Sequence, residues 1–460
     1  MLGSTNNEHQ PQPLRSVTSL AWLRRDLRLD DNPALAAALA DDDEVVPLFV
    51  RDPGLAGAIG GGSRRTARLD AALVDLDTRL RAIGGRLIVR HGRPEEVLPA
   101  VVREVGARQV HAARDFTPYA IRRDEAVGRA VPLVLHPGQL IVEPDAIGES
   151  RVFAAFHRRW LGAEIRRPID APRRIRVPEA FASAPLAQVG VAGDADPLDR
   201  ARAFAASGAA AYAADRNRLD IDGTSHLSAD LHFGTISPSR LAQTVADDAF
   251  RRQLAWRDWA NHLLYWRPEA SGLAWQTGLR AIPWRVDDAD LAAWREGRTG
   301  FPTVDAAMRQ LAETGWISNR ARLIVASFLT RELFLDWRLG ARYFLQTLVD
   351  GDVANNACNW QWVAGVGTDA APYFRILDPS RQGERFDSHG AWVRRWVPEL
   401  RGVPDALIHR PWDAPSGPPA GYPRRIVDRP MARERAMATF AAARRPTIAM
   451  SAPEYGPDQA

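Results

Sequence analysis

The residues best suited to chemistry lie in one stretch, residues 331–379, which reads RELFLDWRLGARYFLQTLVDGDVANNACNWQWVAGVGTDAAPYFRILDP. It combines Trp337, Trp360 and Trp362 with acidic residues and two adjacent asparagines in an otherwise apolar helical pattern. Polar groups inside a helical bundle are costly unless they are hydrogen-bonded, so a bound polar heterocycle would be a reason to keep them. Any one tryptophan taken by itself is more typical of core packing.

The cysteine and histidine content argues against a metal centre. The chain has one cysteine, Cys358, and ten scattered histidines, which excludes an internal disulfide and disfavours a structural zinc site. The net charge is only +4, so DNA binding requires a local basic face. All 60 basic residues are arginine, which a GC-rich coding bias explains, and this preference therefore carries no weight.

Length and composition indicate a soluble protein of two domains. At 460 residues, with 46% hydrophobic and 25% charged residues, the chain is too long for one ordinary core and is not composed like a disordered or membrane protein. No apolar run approaches the roughly 20 residues that span a bilayer. Residues 1–16 lack an apolar signal core, so we expect a disordered leader on a cytoplasmic protein without a membrane partner.

The secondary structure that must position these residues is predicted to change along the chain. Between residues 17 and 145, five short β-rich runs alternate with amphipathic helical segments: SLAWLRR, EVVPLFV, RLIVRHG, QVHAARD and PLVLH. This alternation predicts an α/β domain with a parallel, doubly wound sheet. A dinucleotide-binding version carries a glycine-rich turn after its first strand. Here that turn reads RRDLRLDDNPAL, and the glycines at residues 60–62 follow the second strand. An NAD-binding domain is therefore disfavoured, and we expect a flexible loop at those glycines.

The rest of the chain divides into a linker, a helical domain and a tail. Residues 146–198 contain a Pro-, Arg- and Ala-rich run without clean periodicity, which is typical of a linker that crosses a domain surface. Helix-period segments then run almost unbroken over residues 199–445, which predicts an all-α second domain. Residues 446–460 are expected to form a tail.

Four segments give the chain a specific resemblance. Besides residues 331–379 they are WLRRDLRLDDNPAL, TSHLSADLHFGTISP and GRTGFPTVDAAMRQLAETGWISNRARL. In order and spacing they resemble the DNA photolyase and cryptochrome family over residues 18–445, and most closely its class I cyclobutane pyrimidine dimer photolyases. The resemblance implies an N-terminal antenna domain and a helical C-terminal domain that holds FAD in a bent conformation.

The resemblance also implies which residues bind FAD. Residues 224–228 match the loop that holds the diphosphate, although by themselves they are typical of a plain helix cap. Arg322 and Asp350 match a buried ion pair beside the isoalloxazine, and Asp352 matches a carboxylate near its pyrimidine edge. Asn356 matches a catalytic position that faces flavin N5, where plant cryptochromes carry aspartate, so asparagine favours the repair branch. The full set of predicted cofactor ligands is Tyr212, Thr224, Ser225, His226, Leu227, Ser228, Arg257, Asn319, Arg322, Asp350, Asp352 and Asn356.

Other matched residues carry implied roles in electron transfer and DNA binding. Trp360, Trp337 and Trp284 match the family's electron-transfer chain from the flavin to the surface, since indole is rigid and readily oxidised. Trp256 and Trp362 match the pair that packs against a flipped-out pyrimidine dimer. The other residues predicted to contact the substrate are Gln253, Asn319 and Leu323, together with Arg216, Arg320 and Arg375 at phosphate-binding positions, where solvated surface arginine is the alternative.

Two positions depart from the pattern of cyclobutane-dimer photolyases. At Gln253 those enzymes carry a glutamate that hydrogen-bonds the dimer; glutamine still donates to a thymine carbonyl but offers no carboxyl proton. Leu323 replaces a usual methionine, which keeps the apolar contact and loses the polarisable sulfur. Glutamine also occurs at the first position in (6-4) photolyases, but their pair of active-site histidines is absent from GWISNRARL, so we reject that specificity.

The expected activity is light-driven repair of cyclobutane pyrimidine dimers in double- or single-stranded DNA, by a monomer that contains FAD. Ala120 replaces the glutamate with which folate-binding members contact their antenna, which leaves open a deazaflavin, a folate or no antenna. The main alternative is a cryptochrome, a signalling photoreceptor without repair, which Gln253 and Leu323 favour and Asn356 opposes. A flavoprotein of dark electron transfer, the second alternative, needs no tryptophan chain that ends at the surface.

Overall fold

The computed structural model describes residues 18–42, 44–55, 64–178, 181–187, 196–369 and 375–443. It divides into two compact units, one from Met1–Arg216, Gly223–Ser271 and Phe344–Asn356 and the other from Asn217–Asp222, Gly272–Tyr343 and Ala357–Ala460. The predicted leader, the predicted tail and the glycines at residues 60–62 lie outside the described residues. The domain boundaries expected from the sequence stay predictions.

A five-stranded parallel sheet lies at the centre of the α/β part of the first unit. Its strands are β1 (Thr18–Leu23), β2 (Glu44–Arg51), β3 (Ile88–His91), β4 (Gln109–Ala113) and β5 (Leu133–His136), in the order β3-β2-β1-β4-β5. In the register, Ser19 lies opposite Val45 on one side and Gln109 on the other. Parallel neighbours need crossover connections, which the helices supply, and the strand order reverses between β1 and β4. The predicted doubly wound α/β fold is therefore confirmed.

The first strand shows why the sheet is covered on both faces. Along β1, Leu20 and Trp22 belong to one apolar cluster, whereas Ala21 and Leu23 belong to another. Successive side chains of a strand point to opposite faces, so a strand that is apolar throughout is covered twice. The charged run that begins at Arg24 therefore lies at the carboxyl edge of the sheet.

Helices complete the first unit. They are α1 (Pro33–Asp41), α2 (Arg64–Ala82), α3 (Pro94–Val105), α4 (Pro118–Ala130), α5 (Pro144–Ile147), α6 (Phe153–Gly162), α7 (Pro197–Ser207), α8 (Tyr212–Asp215), α9 (Ser228–Phe233), α10 (Pro238–Thr244) and α11 (Asp248–Trp266). Several begin with proline, whose missing N–H costs nothing at a helix start. Helix α6 falls inside the predicted linker, and beyond it Ile175 is buried and donates its N–H to Ile83 O at 3.0 Å.

The second unit is helical in its described residues. Helices α12 (Asp288–Glu296), α13 (Pro302–Thr314) and α14 (Asn319–Ser327) lead into a π-helix (Phe328–Glu332), followed by α15 (Trp337–Thr347), α16 (Val353–Ala364), α17 (Pro379–Phe386), α18 (Ala391–Trp396) and α19 (Arg429–Ala443). The unit boundaries after residues 343 and 356 fall within α15 and α16. Short 3-10 helices lie at Ala209–Ala211, Pro268–Ser271, Thr277–Leu279, Pro398–Leu400, Asp405–Leu407 and Pro411–Asp413. The predicted all-α architecture is confirmed.

The described residues lack two features, a membrane-spanning helix and a metal-binding cluster. None of the helices there is long and apolar enough to cross a membrane. In the same part of the chain, no group of three or more histidine, cysteine, aspartate or glutamate side chains is arranged to hold a metal ion.

Candidate functional site

The loop before α9 leaves polar groups available for an anion. The Thr224 hydroxyl oxygen is buried without a hydrogen-bond partner, and Ser225 Oγ accepts from the Leu227 N–H at 3.4 Å. His226 has a left-handed backbone with φ of 52°, and α9 begins at Ser228 without a side-chain cap. Uncapped N–H groups at a helix start and a buried hydroxyl suit a phosphate. The loop therefore fits the diphosphate of FAD.

The chain that follows β1 holds the carboxyl end of α9, the helix that follows this loop. The Leu27 N–H donates to Phe233 O at 3.2 Å, and Arg28 Nη1 donates to Gly234 O at 3.0 Å. Gly234 ends α9 with φ of 68°, and a Cβ there would overlap the main chain of Arg25. Only glycine permits this close approach, so the end of α9 is held directly against the carboxyl edge of the sheet.

The turn between α15 and α16 carries the acids that the resemblance places near the flavin. Asp352 Oδ2 lies 2.5 Å from Arg25 Nη2, and Asp352 Oδ1 accepts from the Asn355 N–H at 2.8 Å. Burial alone raises the pKa of Asp352, but the charge of Arg25 and the Asn355 N–H hold it well below its usual range. Asp350 and Asn356 are 8% and 9% exposed. The turn therefore presents an ionised carboxylate in a buried position.

Basic residues of the first unit surround this turn. Arg65 Nη2 donates to Leu348 O at 2.6 Å. His232 is half-buried, and its buried Nδ1 has no hydrogen-bond partner; burial, followed by the charges of Arg25 and Arg65, lowers its pKa well below the usual value. Burial also lowers the pKa of Arg257, whose Nη1 donates to a main-chain carbonyl at 2.7 Å. His232 is therefore neutral among several cations.

Trp256, a predicted substrate residue in α11, packs in an aromatic stack that sequence reasoning misses. The half-buried Trp256 ring stacks on Phe153 of α6, with centroids 3.6 Å apart at 10°, and Trp259 meets its edge at 5.1 Å. Gln253 lies one turn earlier, and its amide nitrogen is 3.5 Å from Ala249 O. One face of the Trp256 indole is thus already occupied within the first unit. The aromatic run RVFAAFHRRW is the only sequence feature that could have pointed to Phe153.

Tyr212 and Arg216 form a pair at α8. Tyr212 is buried and meets the rings of Phe204 and Phe250 edge-on, at 5.7 and 5.4 Å. The Arg216 guanidinium lies 5.7 Å from the centre of the Tyr212 ring. Burial raises the pKa of the Tyr212 hydroxyl, so this side chain is neutral and can donate to a phosphate oxygen.

The three tryptophans predicted to form the electron-transfer chain all lie in the second unit. Each lies in α15, against α15, or against the segment that precedes it. Trp360 is buried, and its indole lies so close to Gly340 of α15 that a Cβ there would overlap it. Trp337, also buried, begins α15. Trp284 is half-buried, with its ring 5.0 Å from that of Phe334, three residues before Trp337. The tryptophans therefore run from a buried position to a partly exposed one.

Trp360 has an aromatic neighbour that sequence reasoning misses. Trp294 is fully buried and meets Trp360 edge-on at 6.2 Å. Its other side faces Tyr343 at 5.6 Å, and its Nε1 donates to Val325 O at 3.1 Å. Nothing in the local sequence distinguishes Trp294 from an ordinary core residue.

The remaining predicted residues of the second unit differ in exposure. Half-buried are Arg320, Arg322, Leu323 and Trp362, and exposed are Asn319 and Arg375. Arg320 Nη2 donates to Asn217 Oδ1 at 2.9 Å, and its guanidinium lies 4.6 Å from the Phe386 ring centre. The expected ion pair of Arg322 with Asp350 stays a prediction.

Comparisons with known proteins cover both the sheet-containing and the helical parts of the chain. The family model for the FAD binding domain of DNA photolyase matches residues 250–442, and the DNA photolyase model matches residues 19–173. A deoxyribodipyrimidine photo-lyase of Streptomyces griseus is 44% identical over 89% of this chain and 96% of its own.

Two solved structures are similar over most of the chain. A class III photolyase from Agrobacterium tumefaciens has a TM-score of 0.86 and 34% identity, covering 95% of this chain and 99% of its own. A cryptochrome from Synechocystis has a TM-score of 0.84 and 27% identity, with 92% and 99% covered. These matches do not specify the class I subtype expected from the sequence. Because family models match both the sheet-containing and helical parts, and the Streptomyces relative matches nearly its whole length, this chain belongs to the DNA photolyase and cryptochrome family.

Proposed function

We propose that this chain is a deoxyribodipyrimidine photo-lyase, which uses light to repair cyclobutane pyrimidine dimers in DNA. The observation that carries the proposal is its 44% identity, over nearly the whole length of both proteins, to a relative of that name. The cryptochrome that it resembles is less similar, at 27%. Repair is therefore favoured over signalling.

The cofactor is FAD, and the residues of the first unit fit it. The Thr224 hydroxyl and the uncapped start of α9 hold the diphosphate, and the ionised Asp352 and the amide of Asn356 face the isoalloxazine. When bound and reduced, FAD supplies under light the electron that opens the cyclobutane ring and takes it back, so repair is redox-neutral. The presence of an antenna, deazaflavin or folate, stays a prediction.

The substrate is a dimer flipped out of the DNA stack. Trp256 offers it a flat apolar wall, because Phe153 fixes the indole from the other side, and Trp362 is expected to contribute a second wall. The Gln253 amide donates to a thymine carbonyl, as a glutamate carboxyl does in related enzymes. Flanking phosphates are bound by Arg216, Arg320 and Arg375. A monomeric state, a cytoplasmic location and the strand type of the DNA stay predictions.

The three tryptophans serve to reduce the cofactor. Trp360 would supply an electron inward and would be restored by Trp337, which Trp284 would restore in turn. The oxidised ring would thus shift outward to the partly exposed Trp284, where an external reductant would return the electron. Burial of the inner two rings, each 2% exposed, keeps them rigid and away from water.

A light-dependent repair assay tests the proposal. The purified protein with reduced FAD is incubated with an oligonucleotide that contains one thymine cyclobutane dimer, in blue light and in the dark. Restored thymine, measured by chromatography, is expected in the light only. Binding of FAD without any light-dependent repair would overturn the proposal and favour a photoreceptor.

A further inference from the structure

The α/β layer, formed by β1–β5 and the helices α1–α4, contributes two arginines to the flavin turn, which we define as residues 348–352 between α15 and α16. We propose that Arg25 and Arg65 are positioning residues, which hold the flavin turn so that Asp352 and Asn356 face FAD. This inference rests on the proposed function and deepens it. It makes the α/β layer part of the flavin site, independently of any antenna.

Arg25 bridges two segments that flank the cofactor. It follows β1, and its Nη2 lies 2.5 Å from Asp352 Oδ2. Its Nε donates to the main-chain oxygen of His232, in α9, at 3.1 Å. Its side chain is 19% exposed and that of Asp352 is 9%. One guanidinium therefore connects the helix that follows the diphosphate loop with the acid that faces the flavin.

Arg65 holds the other end of the flavin turn. It lies in the first turn of α2, is 5% exposed, and donates from Nε and Nη2 to Leu348 O at 3.1 and 2.6 Å. A Cβ at Gly351 would overlap the Arg65 guanidinium. Gly351 therefore leaves the space that the Arg65 guanidinium occupies, and a side chain at Gly351 would displace it.

Hydrogen bonds at the start of α16 connect Asp352 to Asn355 and Asn356. Asp352 Oδ1 accepts from both the main-chain and the side-chain N–H groups of Asn355, at 2.8 and 2.7 Å. The main-chain oxygen of Asp352 accepts from the Asn356 N–H at 2.8 Å. A carboxylate that caps the first turn in this way fixes its orientation. Movement of Asp352 would therefore displace the asparagine that faces flavin N5.

The charges around Asp352 come from four elements. Arg25 follows β1, Arg65 lies in α2, His232 in α9 and Arg257 in α11; Asp350 lies on the turn itself, and Asp115 faces Arg25. Burial disfavours the charged form of Asp352, and Arg25 makes the largest opposing contribution. Without Arg25 the pKa of the Asp352 carboxyl would rise, so this group would take up a proton at higher pH. Arg65 and Arg257 would remain, but neither is hydrogen-bonded to Asp352 in this structure.

Release of FAD from the holoenzyme tests the proposal without any repair step. Wild type, R25Q and R25K are diluted into buffers from pH 8 to pH 5.5, and free flavin is measured by its fluorescence. Wild type and R25K, which keeps the charge, should retain FAD over the whole range. R25Q should release several-fold more FAD at pH 5.5 than at pH 8, because the Asp352 carboxyl, buried and without Arg25, takes up a proton as the pH falls.

R51Q serves as a matched control for R25Q, and Gly351→Ala is a second test of the proposal. Arg51 ends β2 and pairs with Asp70 in the same layer, so R51Q should release FAD like wild type. Gly351→Ala, which displaces Arg65, should increase release several-fold at every pH, and it tests the proposal even where R25Q does not fold. Release curves of R25Q and Gly351→Ala that match wild type would overturn the positioning role. Absence of repair in a wild type that retains FAD would overturn the proposed function instead.

Discussion

Replacing Phe153 with leucine removes the ring on which the Trp256 indole stacks while most of the buried volume stays filled. The two rings are 3.6 Å apart at 10°, and Phe153 is 2% exposed. An aromatic pair contributes about 0.5–1.5 kcal/mol beyond its buried area. If that energy holds the indole in the orientation that receives the dimer, its loss weakens dimer binding by up to about tenfold, because 1.4 kcal/mol is a factor of ten in Kd.

The assay is fluorescence anisotropy in the dark, with a labelled oligonucleotide that contains a thymine dimer and with its undamaged counterpart. F156L is the matched control, since Phe156 is fully buried in the same helix and meets His262 at 4.9 Å. Both variants should lower Tm by a few degrees, but only F153L should raise Kd for the damaged strand. An unchanged Kd for F153L, or equal losses in both variants, would refute the supporting role of the stack.

Three further predictions concern electron transfer, turnover and stability. Trp337→Phe should slow photoreduction of bound FAD at least tenfold, followed by its absorbance under blue light with an external reductant; an unchanged rate would exclude Trp337 from the chain. Gln253→Glu should raise repair turnover several-fold by restoring a carboxyl proton, and equal turnover would show that this position is not limiting. Burial, then the charge of Asp258, raises the pKa of Glu143 to about 7. Its protonated form therefore stabilises the fold at low pH, and about 1–3 kcal/mol should be lost between pH 5 and pH 8. Glu143→Gln should flatten that dependence in urea unfolding, and parallel curves would contradict it.

The fold follows closely from local patterns. Short apolar runs bounded by turns predict strands, and all five strands are found where the alternation predicts them, although Val134 and Leu135 of the edge strand β5 are exposed. The predicted run SLAWLRR extends past the strand, because Arg24 and Arg25 leave the apolar clusters and begin the charged carboxyl edge. Helical periodicity predicts the second unit equally well.

The contacts that position the site do not follow from local patterns. Arg25 and Asp352 are 327 residues apart in the chain, and a charged run after a strand predicts only a turn. Phe153 lies inside the predicted linker, where no periodicity indicated a packed helix. Trp294 looks like any other core tryptophan. The individual roles of the matched residues come from the family resemblance, since spacing alone fits ordinary helix caps and core packing equally well.

Light-driven repair restricted to one class of lesion can be tested with two lesions in a single assay. The protein with reduced FAD is illuminated with two oligonucleotides of the same sequence, one with a cyclobutane thymine dimer and one with a (6-4) photoproduct. We expect light-dependent restoration of thymine from the cyclobutane dimer alone. Repair of the (6-4) photoproduct, or of neither lesion while FAD stays bound and reduced, would contradict it.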